Sequence, residues 1–92
     1  RAMSAAAWVA SALAWGFDAA LRVEVDNRPG VLAQVAAAIA QADSNIDRVE
    51  YLERDTRIAA IRFSIEVADR KHLAEVMRRI RRLGVVHRAQ RL

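Results

Sequence analysis

The residues best suited to bind a ligand form one hexapeptide, Asn-Arg-Pro-Gly-Val-Leu, at residues 27–32. Alternating residues precede it and an apolar run with helical spacing follows it, so it lies where a strand gives way to a helix. Proline is tolerated in a first helical turn because its missing N–H would be unpaired there, and Gly30 keeps side-chain bulk away from the remaining free N–H groups. Such a helix start attracts carboxylates and phosphates.

Few residues of this chain could support catalysis. His72 and His87 are the only histidines, and the spacing gives neither of them a carboxylate partner, so each is interpreted as a surface residue rather than a general base. The sequence has no cysteine, which excludes a thiol nucleophile, a thiolate metal site and a disulfide framework. We therefore expect no catalytic residue, no metal ligand and no cofactor in this chain.

Positive charge is concentrated in the last quarter of the chain. Residues 69–92 contain eight Lys and Arg against two acidic residues, a net charge of +6, whereas the rest has seven against nine, a net charge of −2. A basic patch can contact RNA or an acidic protein surface, but arginines on an amphipathic helix more often only interact with solvent. We place solvation first and keep four arginines as candidate RNA or partner contacts: Arg78, Arg79, Arg81 and Arg82.

The length of the chain limits what it can do alone. Ninety-two residues form one small domain, near the lower limit at which a hydrophobic core suffices, so a dimer or a fragment is expected. Residues 1–14 are apolar and Ala-rich but shorter than the ~20 residues of a membrane span, so we expect no membrane contact. We interpret them as an N-terminal extension, a linker or a remnant of an expression vector. The lack of cysteine suits a reducing compartment, and the cytoplasm is the expected location.

Six elements are expected to position these residues, in the order βαββαβ. A bulge is expected near residues 47–48, Asp69 is the expected N-cap of the second helix, and Gly84 is its expected left-handed stop. Two βαβ halves then fold into an α+β, ferredoxin-like sandwich, a four-stranded antiparallel sheet with two helices on one face. The predicted strands are residues 20–26, 46–53, 58–67 and 85–91, the first helix is 29–42, and the second follows Asp69 and ends at Leu83.

The ferredoxin-like fold hosts enzymes, metal carriers, RNA binders and amino-acid sensors, so the site residues must decide among them. A metal carrier needs a Cys-x-x-Cys loop, and the chain has no cysteine. An acylphosphatase-like enzyme needs a Gly-rich phosphate cradle, for which Arg28 beside one glycine is a poor substitute. An RNA-recognition module displays stacking aromatics, whereas here only Tyr51 and Phe63 lie on the predicted central strands, and Phe63 faces the predicted core.

Several stretches together resemble the ACT domain, a regulatory module that binds amino acids. They are residues 27–32, Ser44-Asn45-Ile46 at the start of strand 2, and two segments of helix 2, residues 69–73 and 77–81. The helix segments, with Trp15 ahead of strand 1, are similar to the C-terminal ACT domain of the long RelA/SpoT enzymes. Those enzymes synthesise and hydrolyse guanosine tetraphosphate, the alarmone of the stringent response. The resemblance covers residues 15–92 and implies a non-catalytic regulatory domain.

The resemblance implies a homodimer in which strand 2 pairs with its symmetry mate, with ligand sites between the loop after strand 1 and the start of the partner's strand 2. In our hypothesis three N–H groups hold an amino-acid carboxylate, two asparagines hold its ammonium, and three apolar side chains line a pocket. The N–H groups are those of Gly30, Val31 and Leu32, and the asparagines are Asn27 and Asn45. The apolar side chains are those of Val25, Leu32 and Ile46. Serine-sensing ACT domains carry a histidine where this chain has Val25, so valine, isoleucine or leucine is the expected ligand.

Other interpretations remain open. Asn27 could simply cap helix 1, and Asn45 could simply tolerate a left-handed turn. The arginine-rich face could dock the domain on ribosomal RNA or on other domains of the same enzyme. A regulatory domain of a biosynthetic enzyme such as phosphoglycerate dehydrogenase is a third function, because Asn-Arg-Pro-Gly also occurs there.

Overall fold

The computed structural model describes residues 16–92, and their elements follow the predicted order. The expectation for residues 1–14 concerns residues outside this range. Neither helix of the described part is long and apolar enough to cross a membrane. The strands are β1 (Phe17–Asp26), β2 (Asn45–Arg54), β3 (Ile58–Val67) and β4 (Val86–Arg91), and the helices are α1 (Val31–Gln41) and α2 (Arg70–Arg81).

The four strands form one antiparallel sheet in the order β2-β3-β1-β4, so β2 and β4 are its edges. In the centre, β1 pairs with β3 along its whole length, with Leu21 opposite Phe63 and Val23 opposite Ile61. Successive side chains of a strand point to opposite faces, and one face of β1 and β3 is apolar and buried. The predicted ferredoxin-like fold is confirmed.

The hydrophobic core lies between this apolar face and the two helices. Each large aliphatic or aromatic side chain that is fully removed from water contributes about 1.5–3 kcal/mol relative to an exposed one. The predicted inward rows of β1 and β3 are therefore the main source of stability. The largest fully buried side chains are Phe63, Leu21, Ile39, Ile61, Ile65, Ile80, Val23, Val25, Val35 and Val76.

Helix α1 ends in a left-handed residue, Asp43, with φ 60°. The Asp43 N–H donates to the Ala40 C=O at 3.0 Å, and the Ser44 N–H donates to the Ile39 C=O at 3.2 Å. This pair of bonds is the Schellman motif, which satisfies the last carbonyls of a helix. Because Asn45 is already the first residue of β2, the alternative that Asn45 tolerates a left-handed turn is wrong.

Helix α2 begins as the sequence predicts and ends differently. Asp69 is its N-cap, and the Asp69 Oδ1 accepts from the His72 N–H at 2.8 Å. The prediction that Gly84 stops the helix in a left-handed conformation is wrong, because Gly84 has no positive φ. The helix instead ends with Arg82 in the right-handed region, φ −76°, and a tightened last turn satisfies its end.

Edge strand β2 is irregular at two places. Its register against β3 shifts between Ile46 and Arg48, which confirms the predicted bulge, and shifts again between Tyr51 and Glu53. A bulge bends a strand and increases its local twist. Strand β2 lies at the edge of the sheet and is exposed along nearly its whole length.

Candidate functional site

The loop after β1 is a tight turn with a left-handed glycine. The Val31 N–H donates to the Arg28 C=O at 3.4 Å, and Gly30 has φ 86° and ψ −11°. These angles belong to the third residue of a type II turn, whose second position favours proline, and Pro29 occupies that position. A Cβ on Gly30 would meet no atom within 4 Å. Gly30 is therefore needed for its backbone conformation rather than to keep bulk away, and α1 begins at Val31 instead of residue 29.

The start of α1 offers three free backbone donors, the N–H groups of Gly30, Leu32 and Ala33. Gly30 is the N-cap, no side chain caps this end, and the first turn has no acidic residue. The N–H groups of Gly30 and Leu32 donate to no acceptor within residues 16–92, whereas the Val31 N–H makes the long turn bond. Two of the three predicted carboxylate donors are thus available at the positive end of a helix dipole.

Asn27 connects this loop to the hairpin between β2 and β3. The Asn27 Nδ2 donates to the Asp55 C=O, and the Asn27 backbone N–H donates to the Arg57 C=O at 2.9 Å. A carbonyl oxygen can only accept, so the NH₂ group must face Asp55, which leaves the Asn27 Oδ1 without a donor in the described part of the chain. The alternative that Asn27 caps helix 1 is wrong, because Gly30 is the N-cap.

Asn45 presents the same group from the start of β2. The Asn45 Nδ2 donates to the Asp47 Oδ1 at 3.3 Å and to the Glu66 Oε1 at 3.4 Å. Because ionised carboxylates only accept, the Asn45 Oδ1 is left free among residues 16–92. Both predicted asparagines therefore keep a carbonyl oxygen available, the group that an ammonium ion binds.

The two asparagines lie at opposite ends of the sheet. Asn45 is opposite Glu66 at one end of β3, whereas Asn27 follows Asp26, which is opposite Ile58 at the other end. The rise of a strand, about 3.3 Å per residue, places these ends roughly 26 Å apart. One chain alone does not bring the two asparagines together, and the predicted site needs a second chain.

The predicted apolar residues differ in how much surface they offer. Val25 is 1% exposed and Val31 is 3% exposed, so both side chains belong to the core. Leu32 and Ile46 are partly buried and pack against the core from its margin. In the single chain, Leu32 beside the loop and Ile46 beside Asn45 are the residues with apolar surface left for a ligand.

Comparison with known proteins identifies the family. The model of the ACT domain matches residues 13–91. This chain belongs to the ACT domain family. Two curated relatives are the guanosine-3′,5′-bis(diphosphate) 3′-pyrophosphohydrolase of Vibrio cholerae and the bifunctional (p)ppGpp synthase/hydrolase SpoT of Escherichia coli K12. Each is 38% identical over 65 residues, which are 71% of this chain and 9% of the relative. The chain therefore spans a small fraction of the relatives it matches.

Solved structures agree on the fold of this ACT domain. The crystal structure of the ACT domain from GTP pyrophosphokinase of Chlorobium tepidum has a TM-score of 0.72 and 25% identity, covering 84% of this chain and 99% of that one. A homoserine dehydrogenase from Thiobacillus denitrificans, with a TM-score of 0.67 and 24% identity, covers 86% of this chain and 17% of that one and shares the fold alone. The resemblance to RelA/SpoT ACT domains is confirmed, and the chain is a regulatory rather than a catalytic domain.

Sequence reasoning missed a polar contact beside the loop of the ACT domain. The His87 Nε2 lies 2.6 Å from the Asp26 Oδ1, and the Arg28 Nη2 lies 3.6 Å from the Asp26 Oδ2. The spacing of the residues in the sequence does not predict this contact, because His87 and Asp26 meet only through the pairing of β1 with β4. The contact joins the last residue of β1 to the neighbouring strand.

His72 has a structural role that its position in the sequence did not reveal. Its Nδ1 accepts from the Ala68 N–H at 2.8 Å, and its Nε2 lies 2.6 Å from the Ala42 C=O. Since the first group can only donate and the second can only accept, the ring carries its proton on Nε2. His72 thereby joins the start of α2 to the end of α1 and leaves no ring nitrogen free to act as a base.

Asp55 shapes the hairpin that Asn27 contacts. The Asp55 Oδ1 accepts from the backbone N–H groups of Ile58 and Arg57, both at 2.8 Å. These two bonds hold the pKa of Asp55 below its ordinary value, and the Arg57 charge adds to the effect. An aspartate at the first position of a turn is a common signal for this arrangement.

The four candidate arginines, three in α2 and Arg82 at its C-cap, make different contacts. Arg79 and Arg78 both form an ion pair with Glu75. Their hydrogen bonds lower the pKa of Glu75, and the bond from Arg79 has the larger effect. Arg81 donates to a backbone carbonyl of β4. Arg82 forms no ion pair with any residue in the described range. Arg82 therefore keeps an unneutralised charge at the surface.

Three carboxylates that could approach a cation lie together where β2 begins. Asp18, Asp47 and Glu66 have oxygens within 4.8 Å of one another. Asn45 already donates to two of these residues, and exposed acidic groups are common in proteins without an ion. The cluster gives no reason to assign a metal.

Proposed function

We propose that this ACT domain is the ligand-sensing part of a RelA/SpoT-type enzyme that synthesises and hydrolyses guanosine tetraphosphate. In this proposal it binds valine, isoleucine or leucine at the interface of a homodimer and so regulates the stringent response. The names of the matched relatives support this parent over phosphoglycerate dehydrogenase. The observation that carries the ligand proposal is the pairing of free N–H donors at the start of α1 with free amide oxygens on Asn27 and Asn45.

The polar groups match the two charged ends of an amino acid. Gly30 and Leu32 offer N–H groups for the carboxylate at a helix start. Asn27 and Asn45 offer oxygens for the ammonium, because their NH₂ groups already donate to other acceptors. A hydrogen bond to a charged group contributes about 1.5–3 kcal/mol, so a few such bonds are enough for specific recognition of the zwitterion.

Edge strand β2 supports the dimer. Its side chains Val49, Tyr51 and Leu52 are 38%, 43% and 40% exposed. An unpaired edge that carries apolar side chains favours pairing with another strand. A second copy of this chain supplies such a strand, and a small domain gains stability by burying more apolar surface.

The symmetry of the dimer completes the site. A two-fold axis through the middle of two paired β2 strands makes them antiparallel, so the start of one strand lies beside the end of the other. This arrangement brings the partner's Asn45 towards the β2–β3 hairpin, to which Asn27 is bound through Asp55. Each dimer then has two equivalent sites, and each chain supplies half of both.

The partly buried Leu32 and Ile46 select an aliphatic ligand. Burying one CH₂ group contributes about 0.8 kcal/mol, so valine gains about 1.6 kcal/mol over alanine, roughly a 15-fold difference in affinity. A site that holds only the charged ends would bind both amino acids equally. The ratio between valine and alanine therefore measures the pocket alone.

Titration calorimetry on the 92-residue chain tests the proposal. We expect heat of binding with at least one of valine, isoleucine and leucine, and binding at least about tenfold weaker for alanine. Absence of heat with all three branched amino acids at millimolar concentration overturns the ligand assignment.

Three substitutions locate the site. Asn45→Ala removes an exposed amide at the start of β2 and should abolish binding, whereas Gln41→Ala removes an exposed amide at the end of α1 and should leave binding unchanged. Asn27→Ala should also abolish binding, but it releases the hairpin as well, so Asn45 is the decisive position. Unchanged affinity of Asn45→Ala would mean that the ligand binds elsewhere.

A second candidate function is docking on ribosomal RNA or on another domain of the parent enzyme. The net charge of +6 on residues 69–92 and the unpaired Arg82 favour it. RNA binding should fall steeply between about 50 and 200 mM salt and after Arg82→Glu, whereas amino-acid binding at β2 should not respond to that substitution. Filter binding with ribosomal RNA measures the salt dependence, and a salt-independent result contradicts the RNA version.

A further inference from the structure

A groove of about 920 Å³ runs along one flank of α2. Its floor is apolar and consists of the exposed Ala74 and the outer edges of Leu73 and Met77, which are 8% and 7% exposed. Helical spacing places these residues on the side of α2 opposite His72, which contacts the end of α1. Arg91 of β4 completes the lining, so the groove lies between α2 and the β4 edge of the sheet. This position is remote from β2 and from the proposed amino-acid site.

The rim of the groove is strongly basic. Glu75, the acidic residue of α2, does not line the groove and pairs with Arg78 and Arg79. Four of the rim arginines form no ion pair within residues 16–92: Arg70, Arg81, Arg82 and Arg91. The full rim is Arg70, Arg78, Arg81, Arg82 and Arg91. A groove with this charge attracts a partner that carries several negative charges.

The lining discriminates among anionic partners. No aromatic side chain lines the groove, so a nucleobase could stack there only on guanidinium groups and would make no use of the apolar floor. A phosphate group alone makes no use of the floor formed by Leu73, Ala74 and Met77. A partner that carries both carboxylates and aliphatic side chains fits the arginine rim and the apolar floor together. Arginine binds a carboxylate through two parallel hydrogen bonds, and the apolar floor contacts the aliphatic side chains.

We propose that this groove docks an acidic amphipathic helix of a partner protein. The stripe from Arg70 to Arg82 is about 18 Å long at 1.5 Å per residue, which matches about three turns of a facing helix. Leucines at every third or fourth position of that helix lie on the floor, and the glutamates beside them meet the arginine rim. The inference deepens the docking function proposed above and does not depend on amino-acid binding at β2.

The probe is a fluorescent 18-residue peptide with leucines at every third or fourth position and glutamates at most of the others, measured by anisotropy on the 92-residue chain. Two matched peptides separate the contributions, one with every leucine replaced by serine and one with every glutamate replaced by glutamine. We expect binding of the parent peptide and at least about tenfold weaker binding of each matched peptide. Equal binding of the serine peptide overturns the proposal, because non-specific charge attraction would then explain the result.

Substitutions on the two helices locate the peptide. Ala74→Glu places a carboxylate in the middle of the floor at an exposed helical position, and Ala37→Glu makes the same change at an exposed position of α1 outside the groove. We expect at least a tenfold loss for Ala74→Glu and no change for Ala37→Glu, with unchanged circular dichroism for both. Equal affinity of the two variants overturns the proposal.

Two further outcomes decide between occupants. If the peptide does not bind while ribosomal RNA binds with a steep salt dependence, the docking function stands and the helix proposal is overturned. If the peptide binds only after residues 1–14 are removed, this chain's own N-terminal segment is the occupant of the groove, and the proposal is again overturned.

Discussion

The two edge strands of the sheet, β2 and β4, expose their backbone groups in different surroundings. On β4, the Ala89 C=O accepts from the Nε and Nη2 of Arg81, at 3.2 and 2.8 Å. On β2, no side chain of the described residues donates to the backbone, and Val49 and Tyr51 are 38% and 43% exposed. A guanidinium occupies a backbone acceptor of one edge, and the described side chains leave the backbone of the other edge free.

The pairing pattern shows that these backbone groups face outward. The Leu92 N–H donates to the Ala20 C=O at 2.8 Å, and antiparallel pairs alternate, so Ala89 turns its backbone groups away from β1. The same alternation across β1 and β3 directs the backbone groups of Phe63 towards β1. Val49 lies opposite Phe63 on β2, so its backbone groups point towards the free edge of the sheet. Arg81 therefore occupies the position at which an added strand would bind β4.

The difference between the edges bears on how the domain associates. An edge strand whose outward backbone groups are already occupied resists pairing with another chain, whereas an edge with free backbone groups favours it. A sheet with two open edges can add strands without limit, but a sheet with one open edge closes after a single two-fold pairing. The covered β4 edge is thus a physical reason for the proposed assembly to stop at a dimer.

Proline substitutions at neighbouring positions of β2 should give the largest effects. The Val49 N–H points to the free edge, so Val49→Pro should leave the ladder with β3 intact and block pairing with a second β2. The Glu50 N–H points to β3, so Glu50→Pro removes a ladder hydrogen bond and should cost at least about 1–3 kcal/mol of stability. Thermal unfolding followed by circular dichroism and sedimentation velocity separate the two outcomes. A Val49→Pro chain that remains dimeric at micromolar concentration contradicts the assignment of β2 as the open edge.

Removing the guanidinium should uncover the second edge. Arg81→Ala deletes the charged donor to the Ala89 C=O and should cost about 1.5–3 kcal/mol, at the lower end because the group is near the surface. It should also allow assemblies larger than a dimer, which light scattering at increasing concentration detects. Arg82→Ala is the matched control, since Arg82 makes no such bond. Identical behaviour of the two variants would show that Arg81 does not protect the edge.

The loops next to the two edges provide a third comparison. Gly30, in the loop tied to the β2 hairpin, has φ 86°, so Gly30→Ala should cost about 1–2 kcal/mol. Gly84, which precedes β4, has no positive φ and open space around it, so Gly84→Ala should be neutral or stabilise by up to about 1 kcal/mol. Urea unfolding measures both changes. A similar loss of stability in the two variants would instead support the left-handed conformation of Gly84 that the sequence predicts.

The features that the sequence predicted well depend on local periodicity. Residues 58–67 were predicted as a strand at the bounds that β3 has, because apolar and polar residues alternate along it. Asp69 was predicted as an N-cap because its type and position are sufficient for that role. The start of α1 was placed two residues early, because proline and glycine together also suit a type II turn, and only the positive φ of Gly30 decides between them.

The features that the sequence could not reveal depend on pairing between distant elements. Arg81 reaches Ala89 only because the chain reverses between α2 and β4, and His87 reaches Asp26 only because β4 lies beside β1. Residue types and spacing therefore suggested the binding loop and the arginine face, whereas the sheet order was needed to tell which edge is covered.

The smallest expected effects come from two carboxylates near opposite edges. Asp55 lies in the β2–β3 hairpin, and backbone hydrogen bonds from Ile58 and Arg57 lower its pKa. Glu75 lies on α2 beside the groove, and side-chain hydrogen bonds from Arg79 and Arg78 lower its pKa. A carboxyl group whose pKa is lower in the folded state stabilises the fold above its unfolded value, about 4, and loses that contribution as the pH falls through the folded value. Both contributions should therefore be complete at pH 6 and fade below about pH 4.

High salt should distinguish the stability contributions of the two carboxylates. The partners of Glu75 are exposed arginines, whereas those of Asp55 are backbone N–H groups in direct contact. At about 1 M salt the screening length is only about 3 Å, which weakens exposed ion pairs and leaves short backbone bonds largely in place. The stability difference between the native chain and Asp55→Ala, from urea unfolding at pH 6, should persist at 1 M NaCl and narrow at pH 3. The difference for Glu75→Gln should shrink in both conditions. If the Asp55 difference disappears with salt, Coulombic attraction to Arg57 rather than the hairpin hydrogen bonds holds that carboxylate.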